Sequence, residues 1–215
     1  STTVAHDLFL SLANSAASSG NYLGFGEIGS LHHARRSGHP FITFPANHPW
    51  MLELAQIAAL TGMVIDLHHE VKSTNKAEVE NLLSYNRSAR FILEHAGWSS
   101  DGTTNGATII DELLTNNSNL YVALKACSAS GSASCYLDSS NNIKTEWLSL
   151  ITNHYDRIMI GSDAKYWENP SSETVQNTMD LAFRDRSLGD GQGYLRLLMQ
   201  QVRAASTTAA EAIEG

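Results

Sequence analysis

Four short apolar runs, each stopping at a group that can bind a metal or move a proton, constrain this chain more than any other feature. Tyr22-Leu23-Gly24-Phe25-Gly26-Glu27-Ile28-Gly29 carries a glutamate at its end. Gly62-Met63-Val64-Ile65-Asp66-Leu67-His68-His69-Glu70 stops at two imidazoles and a carboxylate. Ala89-Arg90-Phe91-Ile92-Leu93-Glu94-His95 stops at a histidine, and Arg157-Ile158-Met159-Ile160-Gly161-Ser162-Asp163 at an aspartate. Each run has the length of a strand, and helical periodicity fills the intervals between them. Strands alternating with helices predict right-handed crossovers and a parallel sheet. In a barrel of parallel strands, side chains at the strand C-termini converge on one face. Imidazole and carboxylate are the donors that a catalytic Zn²⁺ or a similar divalent ion takes.

The pattern predicts strands over 22–28, 63–68, 89–95, 119–125 and 157–163, with helices over 4–18, 48–61, 76–87, 107–116, 144–154, 172–184 and 191–205. Val4, Leu8, Leu12 and Ala16 form the apolar stripe of the first helix, which Gly20 ends. His48-Pro49 starts the second, with proline in its first turn, and Gly62 stops it. Near-continuous apolar strands predict a sheet covered on both sides. Gly24, Gly26 and Gly29 let the first strand pack closely or turn sharply. Their Gly-x-Gly-x-x-Gly spacing follows no strand and opens no helix, so it fails the context test for a dinucleotide site. A polar loop from Ser30 to Asn47 holds His32, His33 and His39, which read as solvated or packing residues that could touch a substrate if the loop lies over the barrel mouth.

The 215 residues fit one domain, 1–215, with enough chain for a sizeable core. A net charge of -8 argues against a nucleic-acid partner. No apolar stretch is long enough to span a bilayer, and the residues from Ser1 to Asp7 show no signal peptide. Cys127 and Cys135 flank a loop of small residues that would let them meet. A disulfide there would point to export and two thiols to the cytoplasm, and both readings stay open. There is no Gly-x-Ser-x-Gly, no P-loop and no setting for a nucleophilic cysteine.

At Gly24-Phe25-Gly26-Glu27-Ile28-Gly29, Ile65-Asp66-Leu67-His68, Leu93-Glu94-His95-Ala96-Gly97 and Ile160-Gly161-Ser162-Asp163, the sequence resembles the amidohydrolase superfamily. Within it the likeness is to the amidohydrolase-related branch of TIM-barrel metal-dependent hydrolases. The resemblance implies an α/β fold of the (β/α)₈ type with one or two divalent ions, zinc first and Mn or Fe as alternatives. By the same resemblance the fifth-strand histidine falls on His68, the sixth-strand histidine on His95, the eighth-strand aspartate on Asp163, and a mid-barrel carboxylate on Glu27. The family's His-x-His pair has no counterpart among the first twenty residues, and five strands are legible where the barrel needs eight. The barrel is therefore expected to be incomplete, lacking its N-terminal strand and helix units and its last turn.

The resemblance and the strand-end positions together assign roles. Glu27, His68, His95 and Asp163 would hold the ion, with Asp163 and His95 catalytic. Asp163 would act as general base and then acid, and its bland alternative is a helix N-cap. Glu27 could instead pair with a basic residue, and His68 could be a hydrogen-bonded histidine at the barrel mouth. His69 reads as structural or substrate-facing. Glu70, Lys125 and Trp98 would meet substrate, with a surface role for Lys125 and plain packing for Trp98 and Trp167 as alternatives. The function expected is hydrolysis of a small ester, lactone or amide. A decarboxylase using the same ion, or a degenerate barrel that binds without chemistry, are the alternatives. Unpaired strand edges would favour a homo-oligomer.

Overall fold

Strand and helix signals alternate in the structure as they do in the sequence. The computed structural model describes residues 2–32, 42–97, 106–125, 135–138 and 143–161. In chain order these form α1 (Thr2–Ser19), β1 (Gly24–His32), β2 (Ile42–Thr43), α2 (Pro49–Thr61), β3 (Val64–His69), α3 (Lys76–Tyr85), β4 (Arg90–Leu93), α4 (Gly106–Asn116), β5 (Leu120–Lys125), α5 (Thr145–Asn153) and β6 (Ile158–Gly161). The helices expected over 172–184 and 191–205, and the end of the strand expected over 157–163, lie outside the described residues.

The six strands make one sheet in the order β2-β1-β3-β4-β5-β6. Every neighbouring pair is parallel except β1 with β2, which is antiparallel. The expected α/β class is thus present as a six-stranded, mostly parallel sheet with five α-helices among the described residues. β2 occupies part of the expected polar loop. A strand of two residues shows no periodicity that a sequence pattern can register.

Register sorts the side chains onto two faces. Ile65 pairs with Phe91, Leu67 with Leu93, Phe91 with Leu120 and Leu93 with Val122. These residues are buried in one continuous core with Leu54 and Ala58 of α2, Leu82 and Leu83 of α3, Ile110 and Leu113 of α4, and Trp147 and Leu150 of α5. The other face carries Val64 beside Arg90, and Asp66 beside Ile92, which in turn pairs with Tyr121. Val64, Asp66, Ile92 and Tyr121 there are half-buried and Arg90 is exposed. Among the described residues, the buried core lies on one face of the sheet.

Local chemistry sets the boundaries. The His48 ring accepts the Trp50 N–H at 3.3 Å, Pro49 opens α2, and Gly62 closes it in the left-handed region at φ 75°. Asn119 donates to the carbonyls of Leu83 and Ala89 at 3.1 and 2.8 Å, tying the end of α3 to the approach to β4. In α1 the expected stripe faces outward, since Val4, Leu8 and Leu12 are 70%, 58% and 61% exposed. The helix docks on α2 through another face. The His6 and Phe9 rings each stack on Trp50 at 5.4 Å, and His6 meets Glu53 at 2.5 Å. Cys135 is buried and disulfide-bonded; Cys127, the only other cysteine of the chain, lies outside the described residues. No helix among the described residues is long and apolar enough to cross a membrane.

Candidate metal centre

The site is built from a bulge inside β1 and from the ends of β3 and β4, beginning with a fault in the first ladder. Between Phe25↔Ile65 and Ile28↔Leu67, β1 advances three residues while β3 advances two. The surplus residue is a bulge at Gly26-Glu27, a device that re-aims a side chain. Its close packing requires glycine. A Cβ on Gly26 would lie 2.3 Å from the Asp66 Cβ. A second surplus residue falls between Gly29↔His68 and Leu31↔His69. β1 therefore runs on to His32, four residues beyond the expected strand.

β3 contributes by simple alternation. Ile65, Leu67 and His69 turn to the buried side, while Asp66 and His68 turn to the other. β4 contributes through a sharp turn at its end. His95, Ala96 and Gly97 all have left-handed backbones, at φ 55°, 49° and 60°. For a histidine and an alanine this conformation costs on the order of 1–2 kcal/mol each. Gly97 fits without a Cβ, which would stand 2.7 Å from Val71 Cγ2. The buried Ala96 anchors the turn, and the Gly97 N–H returns to the Glu94 carbonyl at 3.0 Å.

Three of the expected residues meet there. Glu27 Oε1 is 2.7 Å from His68 Nδ1 and 3.6 Å from His95 Nε2. The two rings stand edge to face, with centroids 5.0 Å apart. One donor atom from each of Glu27, His68 and His95 lies within 4.8 Å of the others, so the trio can hold a metal ion. Bonds of about 2.1 Å at tetrahedral angles place donors about 3.4 Å apart, and the two measured separations bracket that spacing. The donor chemistry and the spacing both fit a divalent cation.

Negative charge is concentrated beside the trio. The Asp66 carboxyl is pushed above its ordinary range, chiefly by burial, with the Glu27 charge adding to it. A hydrogen bond with Glu94 and the proximity of His68 pull the other way. Carboxyls crowded on a half-buried face are what a cation would relieve.

The other expected residues fall in different places. His69 is buried and shares a 2.8 Å hydrogen bond with Ser30 Oγ, on the side away from the trio. Glu70 is fully buried, and its N–H donates to the Leu31 carbonyl at 3.1 Å. Lys125 closes β5 with its backbone paired to Gly161, and its side chain lies outside the described residues. Asp163, Trp98, Trp167, His33 and His39 also lie outside them.

No family model, curated protein or solved structure matches this chain. The donor set and its spacing therefore carry the functional reading.

One residue at the site was not expected. His32 stacks on His68, with centroids 4.7 Å apart and 17° between the planes, and its Nδ1 is 3.9 Å from Glu70 Oε1. The expected boundary at residue 28 put His32 in a polar loop, as a solvated or packing residue that could touch substrate but not as a ligand. The alternation Ile28, Ser30, His32 against Gly29, Leu31 was the available signal, and it is weak because two small residues interrupt it.

Proposed function

We propose that the chain is a metal-dependent hydrolase of a small ester, lactone or amide, with a zinc ion held by Glu27, His68 and His95. The convergence of these three side chains, from a bulge within β1 and from the ends of β3 and β4, carries the reading. Two imidazoles and a glutamate are a donor set of catalytic zinc, with Mn or Fe as alternatives. Such an ion supplies a Lewis acid that polarises a carbonyl and acidifies water.

The strand order supports barrel-type winding. β1, β3, β4, β5 and β6 neighbour one another in chain order, and the apolar faces of α2 to α5 share one core. A doubly wound sheet reverses its order at a switch point instead. In a barrel the site would open at the C-terminal strand ends, where His68 and His95 stand and to which the β1 bulge brings Glu27.

The chain's own groups divide the remaining work. Glu27 Oε1 accepts from His68 Nδ1 at 2.7 Å, which holds both donors in place. The left-handed turn fixes the direction from which His95 enters. His32, flat against His68, walls one side of the trio. By the family resemblance Asp163, two residues beyond the end of β6, accepts a proton from the attacking water and returns it to the leaving group.

The test is a panel of esters, lactones and amides assayed with protein loaded with Zn²⁺, Mn²⁺ or Fe²⁺. Turnover should fall by at least about 100-fold in His95→Ala and in Asp163→Asn, a range typical of lost acid–base catalysis. Unchanged turnover in both variants would contradict the reading. Release of carbon dioxide from a carboxylic acid would reassign the same site to decarboxylation.

A further inference from the structure

His32 lies against the trio, yet it belongs to none of the motifs that point to it. Its ring stacks on His68, with centroids 4.7 Å apart and 17° between the planes. An imidazole nitrogen offers its lone pair in the plane of the ring, so a ligating histidine meets its ion there. Two rings in nearly parallel layers have no ion position in common at bonds of about 2.1 Å. His32 therefore does not share an ion with His68, and its contact must serve another purpose. We propose that His32 is a positioning residue: anchored by the buried carboxylate of Glu70, it holds the His68 ring in the plane from which His68 meets the ion.

Two kinds of contact fix the His68 ring. Its edge is held at Nδ1 by Glu27 Oε1, 2.7 Å away, which sets the direction in which the ring points. A single hydrogen bond leaves the ring free to rock about that contact. The flat face of His32, laid along His68, removes this freedom, and the His95 ring stands edge to face with His68 at 5.0 Å. A site binds tightly when its donors are already held in the productive geometry by packing and hydrogen bonds behind them. His32 supplies that packing for the one ligand that touches both of the others.

The backbone keeps His32 in place from both sides. Leu31 and His32 pair with Thr43 and Ile42 of β2, so the two-residue strand clamps the end of β1. On the opposite edge the Glu70 N–H donates to the Leu31 carbonyl at 3.1 Å. The buried Asn75 donates to the Glu70 carbonyl at 2.9 Å and accepts from the Lys72 N–H at 2.7 Å. The Glu70 side chain is wholly withdrawn from water, and His32 Nδ1 is 3.9 Å from its Oε1. Leaving such a carboxylate without polar partners is costly. It is therefore a fixed point toward which the His32 imidazole is drawn.

The inference rests on the proposed metal centre, and Co²⁺ spectra separate the two. Chelator-treated full-length protein is titrated with Co²⁺, whose visible bands report both affinity and ligand geometry. The wild type should bind. His32→Ala should bind about 10- to 100-fold more weakly, the range typical when a partner of a metal ligand is lost, and its bands should change. His32→Phe keeps a flat ring and carries no nitrogen, so it should restore the wild-type affinity and bands. Glu70→Met fills a similar volume without the oxygens, and it should weaken binding in the same direction as His32→Ala. Wild-type affinity and bands in His32→Ala or in Glu70→Met would overturn the positioning role and leave the metal centre standing. Equal loss in His32→Ala and His32→Phe would also overturn it, because the nitrogens of His32 and not its stacked ring would then be needed. No Co²⁺ bound by the wild type would overturn both readings. If His32→Ala fails to fold, His32→Leu, which fills the space without a flat ring, takes its place with the same expected loss.

Discussion

Two faces of one strand behave in opposite ways. On the buried side of β3, Ile65 and Leu67 lie in a continuous apolar core with Phe91, Leu93 and Val122 of the neighbouring strands. One residue away, on the other side, Asp66 and His68 stand among Glu27, Glu94 and His95. The first face is held by close packing, which any apolar set of suitable volume can supply. The second is held by bulges, left-handed turns and hydrogen bonds that admit few substitutions. Stability should therefore reside on the first face and cation binding on the second, with little traffic between them.

The strongest test of that division is Leu93→Ala. Leu93 is fully buried, and removing its side chain should cost about 2–5 kcal/mol in denaturant unfolding. The folded fraction should keep the cation affinity of the wild type. Gly26→Ala attacks the point where the two faces are coupled. Its new Cβ would overlap Asp66, so the bulge must move. The expected cost is about 1–3 kcal/mol, with weaker metal binding because Glu27 follows the bulge. A variant that binds metal normally would show that the bulge does not aim Glu27.

His154→Ala probes the contact between α4 and the end of α5. His154 Nε2 meets Asp111 at 2.9 Å, and Nδ1 accepts from Arg157 at 3.1 Å. Its loss should cost about 1–3 kcal/mol and leave metal binding untouched.

Asp66→Asn should have the smallest effect and the opposite sign. Asp66 has a raised pKa in the folded protein, so at neutral pH its ionisation opposes folding. Without metal, the contribution of this group becomes more favourable as pH falls through the raised pKa, and levels off below the unfolded value of 3.8. Asparagine removes that dependence. In chelator, the variant should be as stable as the wild type or more so at pH 7, and the advantage should shrink on acidification. A variant less stable than the wild type at pH 7 would mean that the carboxylate is held by more than its hydrogen bond with Glu94.

Much of the packed face was legible in the sequence. The helices expected over 48–61, 76–87, 107–116 and 144–154, and the strands expected over 63–68, 89–95 and 119–125, stand close to α2 to α5 and β3 to β5, and their core-facing apolar side chains are buried. The stripe of α1 misled, because Val4, Leu8 and Leu12 are periodic yet outward. The helix docks instead through His6, Phe9 and Ala13, two of which carry rings that stack on or pack near Trp50. Periodicity reports that a helix has an apolar side and says nothing of which side meets a neighbour.

The candidate site was legible as residue types at strand ends. Glu27, His68 and His95 can be picked out because charge interrupts each apolar run. His32 could not, because a bulge shifts the alternation that would have exposed it. Nor could the left-handed turn at His95 and Ala96, since neither residue type announces a positive φ as glycine does.

The most direct test of the account is the Zn²⁺ affinity of the Glu27, His68 and His95 trio, measured by competition against a chelator in the wild type, Glu27→Gln and His95→Ala. The account predicts binding by the wild type and loss of the corresponding ion in both variants, with circular dichroism unchanged. Equal binding in all three proteins, or none in the wild type, would contradict it.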